Sequence, residues 1–151
     1  MNMLKKILFP VLVLALILML PSCKTDTEDD LNIKSDLNGV VVINEVYAAN
    51  PDWIELYNTS DAEVLLDGCI LQDDKGAVEE YLLPTGMKIP AKGFLVLEGG
   101  THFQFGISSS KGDVIKLFDS KGAIISEVSV PITTTNQSYA RTTDGGKEWA
   151  I

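Results

Sequence analysis

The 151-residue chain carries 12 basic and 21 acidic residues, which gives a net charge of −9 at pH 7. This charge argues against nucleic acid as a partner, because lysine and arginine contacts to phosphate dominate that kind of affinity. It also opposes electrostatic attachment to anionic lipid headgroups, so any membrane attachment needs another source.

The N-terminus has the pattern of an export signal. A pair of lysines precedes an apolar run over residues 7–20. The run fits the apolar core of a signal peptide and is shorter than the roughly 20 apolar residues of a membrane-spanning helix. It ends in Leu20-Pro21-Ser22-Cys23, which resembles the lipobox of bacterial lipoproteins, although proline is unusual in that motif. We therefore predict a cleaved lipoprotein signal peptide over residues 1–22 and a lipid group on Cys23.

The lipobox resemblance implies a location for the mature protein. Two or more acyl chains give stable anchoring, because each buried methylene contributes about 0.8 kcal/mol. The implied location is the bacterial cell envelope, as an outer membrane lipoprotein that contacts the membrane through its N-terminal lipid. Loss of residues 1–22 removes two lysines and no acid, so the net charge changes from −9 to −11.

Residues 23–38 are predicted to be the lipidated cysteine and a flexible tether, because the segment is acidic and shows no apolar periodicity. Its acidic start resembles the surface-export signals of lipoproteins in the Bacteroidota, which would place the domain on the cell surface. A solvated spacer without any targeting signal has the same composition, and the sequence leaves both interpretations open.

From residue 39 onward the sequence changes to short apolar runs separated by turn signals. The predicted strands cover residues 40–46, 53–57, 69–71, 78–83, 93–97, 114–118, 124–130 and 138–141. This length and spacing are typical of an all-β sandwich, and no segment keeps the 3.6-residue apolar period of a helix. We predict one β-sandwich domain over residues 39–151, a length that supports a single hydrophobic core.

These segments resemble the lamin tail domain, an immunoglobulin-like β-sandwich also found in secreted and surface proteins of bacteria. The matching motifs lie at residues 41–46, 52–58, 66–71, 83–97, 105–117, 138–141 and 144–146, with Trp149. The resemblance implies an immunoglobulin-like fold of the lamin-tail type. It also implies structural roles for Asn44, Glu45, Trp53, Glu55, Asn58, Gly68, Gly93, Asp113 and Trp149.

Cys69 departs from the family pattern, since such domains often carry a tryptophan at this position. Once Cys23 is lipidated, Cys69 is the remaining cysteine, so neither an internal disulfide nor a paired-cysteine zinc site is expected. Cys69 lies in an apolar stretch. We predict a buried side chain without a chemical role.

Glu45 and Glu55 are the strongest candidates for catalysis. They lie on strands predicted to be adjacent, where two carboxylates could form an acid–base pair or a cation site. Alternatively, both are structural carboxylates that accept hydrogen bonds from backbone N–H groups or a serine. We favour the structural interpretation, on which a glutamine at either position lowers the stability of the domain.

Aspartates in the predicted turns raise the possibility of a calcium site if their loops meet at one end of the sandwich. The candidates are Asp73, Asp74, Asp119 and Asp144. Aspartates in turns need no ion, because they bond to neighbouring backbone groups. No cofactor is predicted.

Three functions are consistent with these observations. The favoured one is a non-enzymatic interaction module that is anchored by lipid and binds a protein partner through loops or an edge strand. The second is a carbohydrate-binding accessory lipoprotein, which needs exposed aromatic side chains. The third, a hydrolase that uses Glu45 and Glu55, is the least favoured of the three.

Overall fold

The computed structural model describes residues 34–134 and 136–151. The predicted signal peptide, Cys23 and most of the predicted tether lie outside these residues. The described strands are β1 (Val41–Tyr47), β2 (Trp53–Asn58), β3 (Val64–Leu65), β4 (Ile70–Gln72), β5 (Glu80–Leu82), β6 (Lys88–Ile89), β7 (Phe94–Glu98), β8 (Asp113–Phe118), β9 (Ile124–Val130), β10 (Ser138–Arg141) and β11 (Trp149–Ala150). In these two ranges, no helix has the length and apolar character to cross a membrane.

The strands pair in an antiparallel manner in three sheets. A five-stranded sheet has the order β11-β10-β1-β2-β7, and a four-stranded sheet has the order β5-β4-β8-β9. Strands β3 and β6 form a small third sheet. The architecture is the predicted all-β, immunoglobulin-like sandwich.

The alternation of side chains in the strands forms the core. In β2, Ile54 and Leu56 are fully buried, whereas the intervening Glu55 is partly exposed. In β8, Ile115 and Leu117 are fully buried in the same way. These side chains belong to one apolar cluster to which both large sheets contribute. Burial of such side chains contributes about 1.5–3 kcal/mol each and is the main stabilising term of the fold.

All eight predicted strands are present, with differences at their ends. The run predicted over residues 78–83 begins later, because Val78 lies in a 3-10 helix (Gly76–Val78) and is 85% exposed. The two-residue strands β3, β6 and β11 were not predicted. The folded region also begins before residue 39, because Ser35 is buried and Leu37 packs against the core.

Candidate functional site

A β-bulge in β1 lies beside the two candidate glutamates. The register with β2 passes from Ile43 opposite Leu56 to Glu45 opposite Glu55, so Asn44 is an extra residue in β1. A bulge leaves local backbone groups without ladder partners and re-aims side chains, and bulges are frequent next to active sites. The partners of these groups decide whether the bulge is a reactive site or a closed structural one.

The backbone groups at the bulge have partners from other elements. The N–H of Ile43 donates to Ser126 Oγ at 3.0 Å, and its carbonyl accepts a hydrogen bond from Arg141 Nε at 2.8 Å. The Arg141 guanidinium also donates to the Gly146 carbonyl and lies 4.6 Å from the centre of the Trp149 ring. Burial lowers the pKa of Arg141. Arg141 thus connects β1, the turn after β10 and Trp149.

The buried side chain of Asn44 makes three contacts. Its Nδ2 donates to Glu55 Oε1 at 2.9 Å and to Asp144 Oδ1 at 3.0 Å, and its Oδ1 accepts from the backbone N–H of Gly145 at 3.0 Å. Gly145 has φ +71°, and a Cβ at this position would lie 2.9 Å from Thr59 Cγ2. The turn after β10 therefore packs closely on β1 and β2, and Asn44 holds it there.

Glu45 and Glu55 face each other on adjacent strands, as the sequence indicated. Glu45 Oε1 accepts a hydrogen bond from Ser138 Oγ at 2.5 Å, and Glu55 Oε1 accepts from Asn44. Burial raises the pKa of Glu55, the hydrogen bond from Asn44 lowers it, and repulsion from Glu45 and Asp144 raises it further. A raised pKa suits a general acid, but one oxygen of each carboxylate already accepts a hydrogen bond within the fold.

Three of the four calcium candidates make contacts with different parts of the domain, and the fourth is exposed. Asp73 is buried, with Oδ1 accepting the backbone N–H of Lys75 at 2.9 Å and Oδ2 lying 3.5 Å from Lys75 Nζ. Asp119 Oδ1 accepts two backbone N–H groups in its own turn, and Asp144 binds Asn44. Asp74 is exposed. Across residues 34–134 and 136–151, no three His, Cys, Asp or Glu side chains are placed to hold a metal ion, so the structure gives the calcium hypothesis no support.

Asn58 fastens the end of β2 to the loops on either side of the small sheet. It is fully buried, and its Nδ2 donates to the carbonyls of Ala62 at 2.7 Å, Pro90 at 2.9 Å and Ile89 at 3.2 Å. Its Oδ1 accepts from the N–H of Ser60 at 2.9 Å. Asn58 therefore replaces backbone pairing that the irregular loops do not make among themselves.

Asp113 and Gly68 also have defined local roles. Asp113 accepts the backbone N–H groups of Ser108 at 2.9 Å and Val114 at 2.8 Å, which closes the turn before β8. Gly68 has φ +71°, and a Cβ there would lie 3.1 Å from Ser120 Cβ. A side chain at position 68 would therefore be strained by the positive φ and crowded by Ser120.

Cys69 is 2% exposed and belongs to the core cluster. Burial, together with repulsion from the nearby carboxylates of Asp119 and Asp67, raises the pKa of its thiol to about 11. A thiol with this pKa is almost entirely protonated at neutral pH and is a poor nucleophile. Its environment is that of a small apolar core residue.

The solvent-facing side of β1, β2 and β7 in the five-stranded sheet, here called the outer face, combines aromatic and acidic side chains. It is formed by Glu45, Tyr47, Trp53, Glu55, Tyr57, Phe94, Val96 and Glu98. Tyr47 stacks on Trp53 at 5.6 Å between ring centres, and Tyr57 packs on Phe94 at 4.8 Å. In each pair, each ring thus has one of its two faces covered by the other ring.

Sequence reasoning predicted a serine as a possible partner of a structural glutamate, as Ser138 is for Glu45, but it did not identify the residues that close the bulge. Ser138, Arg141 and Asp144 contact β1 or its neighbours across 93, 98 and 100 positions of sequence respectively. Local patterns carry no information about pairs so far apart. The only local signal was the polar pair of Asn44 and Glu45 inside an otherwise apolar strand.

Comparison with known proteins identifies the family. No curated protein sequence matches the chain. Residues 35–131 match the Lamin Tail Domain family, a span that runs from the buried Ser35 to the residue after β9. This match covers well over half of the 151 residues, and the chain therefore belongs to the lamin tail domain family.

Proposed function

We propose that this protein is a lipid-anchored, non-enzymatic interaction module of a bacterial cell envelope and that its ligand is a protein. The observation that carries the proposal is the edge strand β7, which pairs with β2 alone and exposes Phe94 and Val96 to solvent. Exposed apolar side chains on an unpaired sheet edge are a recurrent site of protein recognition. The family is a non-catalytic, immunoglobulin-like one, which agrees with a binding role.

A hydrolase that uses Glu45 and Glu55 is less well supported. Ser138 and Asn44 engage these carboxylates in contacts that close the bulge. The chain's single histidine, His102, accepts a hydrogen bond from the backbone N–H of Glu98 through Nδ1 and is therefore occupied elsewhere. A metal-assisted reaction would need a ligand set that the described residues do not assemble.

Carbohydrate binding is the second candidate, and the aromatic residues of the outer face are the observation in its favour. Sugar recognition needs aromatic surfaces that are open to the ligand. Tyr47 and Trp53 cover one surface of each other's rings, as do Tyr57 and Phe94. Fewer ring faces are therefore open to a sugar than the number of aromatic residues suggests. For this reason we place carbohydrate binding second to protein binding.

The anchoring part of the proposal rests on the N-terminal sequence. The apolar run over residues 7–20, followed by Leu20-Pro21-Ser22-Cys23, resembles a lipoprotein signal. An acidic domain has no electrostatic attraction to anionic headgroups, so lipid on Cys23 would be the source of membrane attachment. The proposed location is the outer membrane, with the domain held at the membrane surface.

The test is capture of binding partners from detergent-solubilised envelopes by the full protein, with two variants beside it. We expect Val96→Lys to reduce capture, because it removes an exposed apolar side chain from β7. Val78→Lys is the matched control, since it changes an exposed valine in the 3-10 helix far along the chain from β7.

The same preparations are screened for nuclease, esterase and glycosidase turnover and for glycan binding. Glycan binding that Trp53→Ala removes would favour the carbohydrate candidate. Turnover that disappears in both Glu45→Gln and Glu55→Gln would show that the protein is an enzyme. We expect neither result.

A further inference from the structure

The direction of the backbone groups in β7 defines a binding edge. The N–H of Asn58 donates to the Gly93 carbonyl, and the N–H of Gly99 donates to the Asp52 carbonyl. Because backbone groups alternate in direction along a strand, the N–H and C=O groups of residues 93, 95, 97 and 99 point towards β2. The N–H and C=O groups of Phe94, Val96 and Glu98 therefore point away from β2, along the free edge.

One end of this edge is closed by the turn that follows β7. The N–H of Glu98 donates to His102 Nδ1 at 3.0 Å. The Glu98 carbonyl accepts the N–H groups of Thr101 at 3.3 Å and His102 at 2.8 Å. The part left open is Phe94 to Val96, whose outward N–H and C=O groups have no partner in the described part of the chain.

The side chains beside the open segment indicate the chemistry of an added strand. Phe94 is 45% exposed and Val96 is 41% exposed, so apolar contact is available next to the free backbone groups. On the outer face, Glu55 lies opposite Val96 and Glu98 lies opposite Trp53. The eight residues of the outer face include three glutamates and no lysine, arginine or histidine.

We propose that the free edge of β7 binds an extended segment of a partner protein by strand addition, and that this segment alternates apolar residues with lysine or arginine. The proposal rests on the proposed function and specifies its site and ligand. The two backbone positions give hydrogen bonds. On the outer face, the aliphatic stems of lysine or arginine lie along Phe94 and Val96 and their charged ends reach the glutamates. The apolar residues of the segment lie on the opposite face, which is the face of Leu95.

A second copy of this chain fits the edge less well than a basic segment. Each copy carries a net charge of −9, and like charges oppose association. Strand β5 is the corresponding free edge of the four-stranded sheet. It spans only Glu80–Leu82 and lies next to Gln72 and Lys116 across that sheet, so its surroundings do not select a basic ligand in the same way.

The experiment titrates the full protein in detergent with three synthetic peptides and follows backbone amide signals by NMR. One peptide alternates lysine and valine, the second alternates glutamate and valine, and the third is the lysine peptide with N-methylated amides on one edge. We expect the first peptide to shift the signals of Phe94 and Val96, and the other two to bind about tenfold more weakly or worse.

Two variants locate the site on the protein. Val96→Pro removes an outward N–H without breaking a bond to β2, as proline on a sheet edge allows, and should weaken binding of the lysine peptide by about tenfold. Leu82→Pro makes the matched change on the β5 edge and should leave binding unchanged. Glu98→Lys should weaken the preference for the lysine peptide over the glutamate peptide, because Glu45 and Glu55 remain on the outer face.

The outcomes separate this proposal from the proposed function. Equal binding of the methylated and unmethylated peptides, or signal shifts centred on β5, would overturn strand addition at β7. Sedimentation that shows a dimer of the full protein, converted to monomer by Val96→Pro, would assign the edge to a second copy instead. Envelope-protein capture that survives Val96→Pro would leave the proposed function standing and remove β7 as its site.

Discussion

At the scale of single residues, Glu55 is a carboxylate whose charge destabilises the folded state. Burial raises its pKa above the ordinary value of 4.5, and Glu45 and Asp144 repel it. The folded protein therefore holds a proton on Glu55 in a pH window above 4.5 where the unfolded chain has released it. Stability decreases as the pH rises through that window, and the cost persists at neutral pH.

Replacing Glu55 with glutamine should therefore stabilise the domain at pH 7. The amide keeps an Oε1 that accepts the hydrogen bond from Asn44, and the charge is removed. We expect the free energy of unfolding to rise by roughly 0.5–1 kcal/mol, a small value because solvent screens a partly exposed group. Melting curves of wild type and variant at pH 7 and pH 4 test this, and the gain should shrink at pH 4.

This expectation reverses the one drawn from the sequence, because the repulsion from Asp144 is visible only in the fold. Glu45→Gln is the control: it removes the repulsion between Glu45 and Glu55 but leaves the burial of Glu55, so its gain at pH 7 should be smaller. A lower melting temperature of Glu55→Gln at pH 7 would contradict the electrostatic argument.

Cys69 supports a second prediction at this scale. Its side chain is buried and the pKa of its thiol is raised to about 11. A reagent therefore cannot reach the sulfur atom, and very little of the thiol is in the reactive thiolate form at neutral pH. In a Cys23→Ser background, where Cys69 is the sole thiol, a thiol reagent at pH 7 should label the protein only after denaturation. Cys69→Ala should cost about 1–3 kcal/mol, because a cavity replaces the sulfur atom. Rapid labelling of the folded protein would show that the site is open.

At the scale of elements, the length of a strand decided whether the sequence pattern could identify it. Every described strand of three or more residues overlaps one of the predicted strands. The two-residue strands β3, β6 and β11 are too short to show alternation, so periodicity cannot identify them. Val78 is the first residue of the strand predicted over residues 78–83, yet Gly76 with φ +67° begins a 3-10 turn there.

The bulge shows a different limit of sequence reasoning. The adjacency of β1 and β2 placed Glu45 and Glu55 opposite each other, as expected from a short connection between two strands. Asn44 is the extra residue of the bulge, and its side chain contacts Asp144 and Gly145. These two residues lie near the far end of the chain. The pairing of β1 with β2 was predictable because it is local, whereas the closure of the bulge depends on residues distant in sequence and was not predictable.

The β7 edge gives a prediction about exchange of backbone amides. Leu95 and Leu97 direct their N–H groups towards β2, whereas Phe94 and Val96 direct theirs to the free edge. In hydrogen–deuterium exchange read residue by residue, Phe94 and Val96 should exchange much faster than Leu95 and Leu97. Glu98 should be slower than Val96, because its N–H donates to His102. Equal protection of all five amides would mean that the edge is covered.

At the scale of the whole molecule, charge and the N-terminal sequence have separate roles in the proposed location. The domain carries most of the 21 acidic residues of the chain, and an acidic domain does not adhere to an anionic membrane. Its acidic outer face is also the part that the β7 proposal uses for selection of a basic ligand. A lipid anchor would therefore hold the domain at the membrane while the acidic surface stays in solvent.

The anchor prediction follows from this separation. Wild-type protein should incorporate labelled fatty acid and partition into the detergent phase, and Cys23→Ala should abolish both, because acyl chains on Cys23 are the proposed source of membrane affinity. Cys69→Ala is the matched control: it removes the other cysteine, which is buried in the core, and should leave labelling and partitioning unchanged. Washing membranes with high salt should not release the wild type, since acyl-chain burial is not screened by ions. If Cys23→Ala still partitions into detergent, the lipoprotein assignment is wrong and the membrane contact lies elsewhere in the chain.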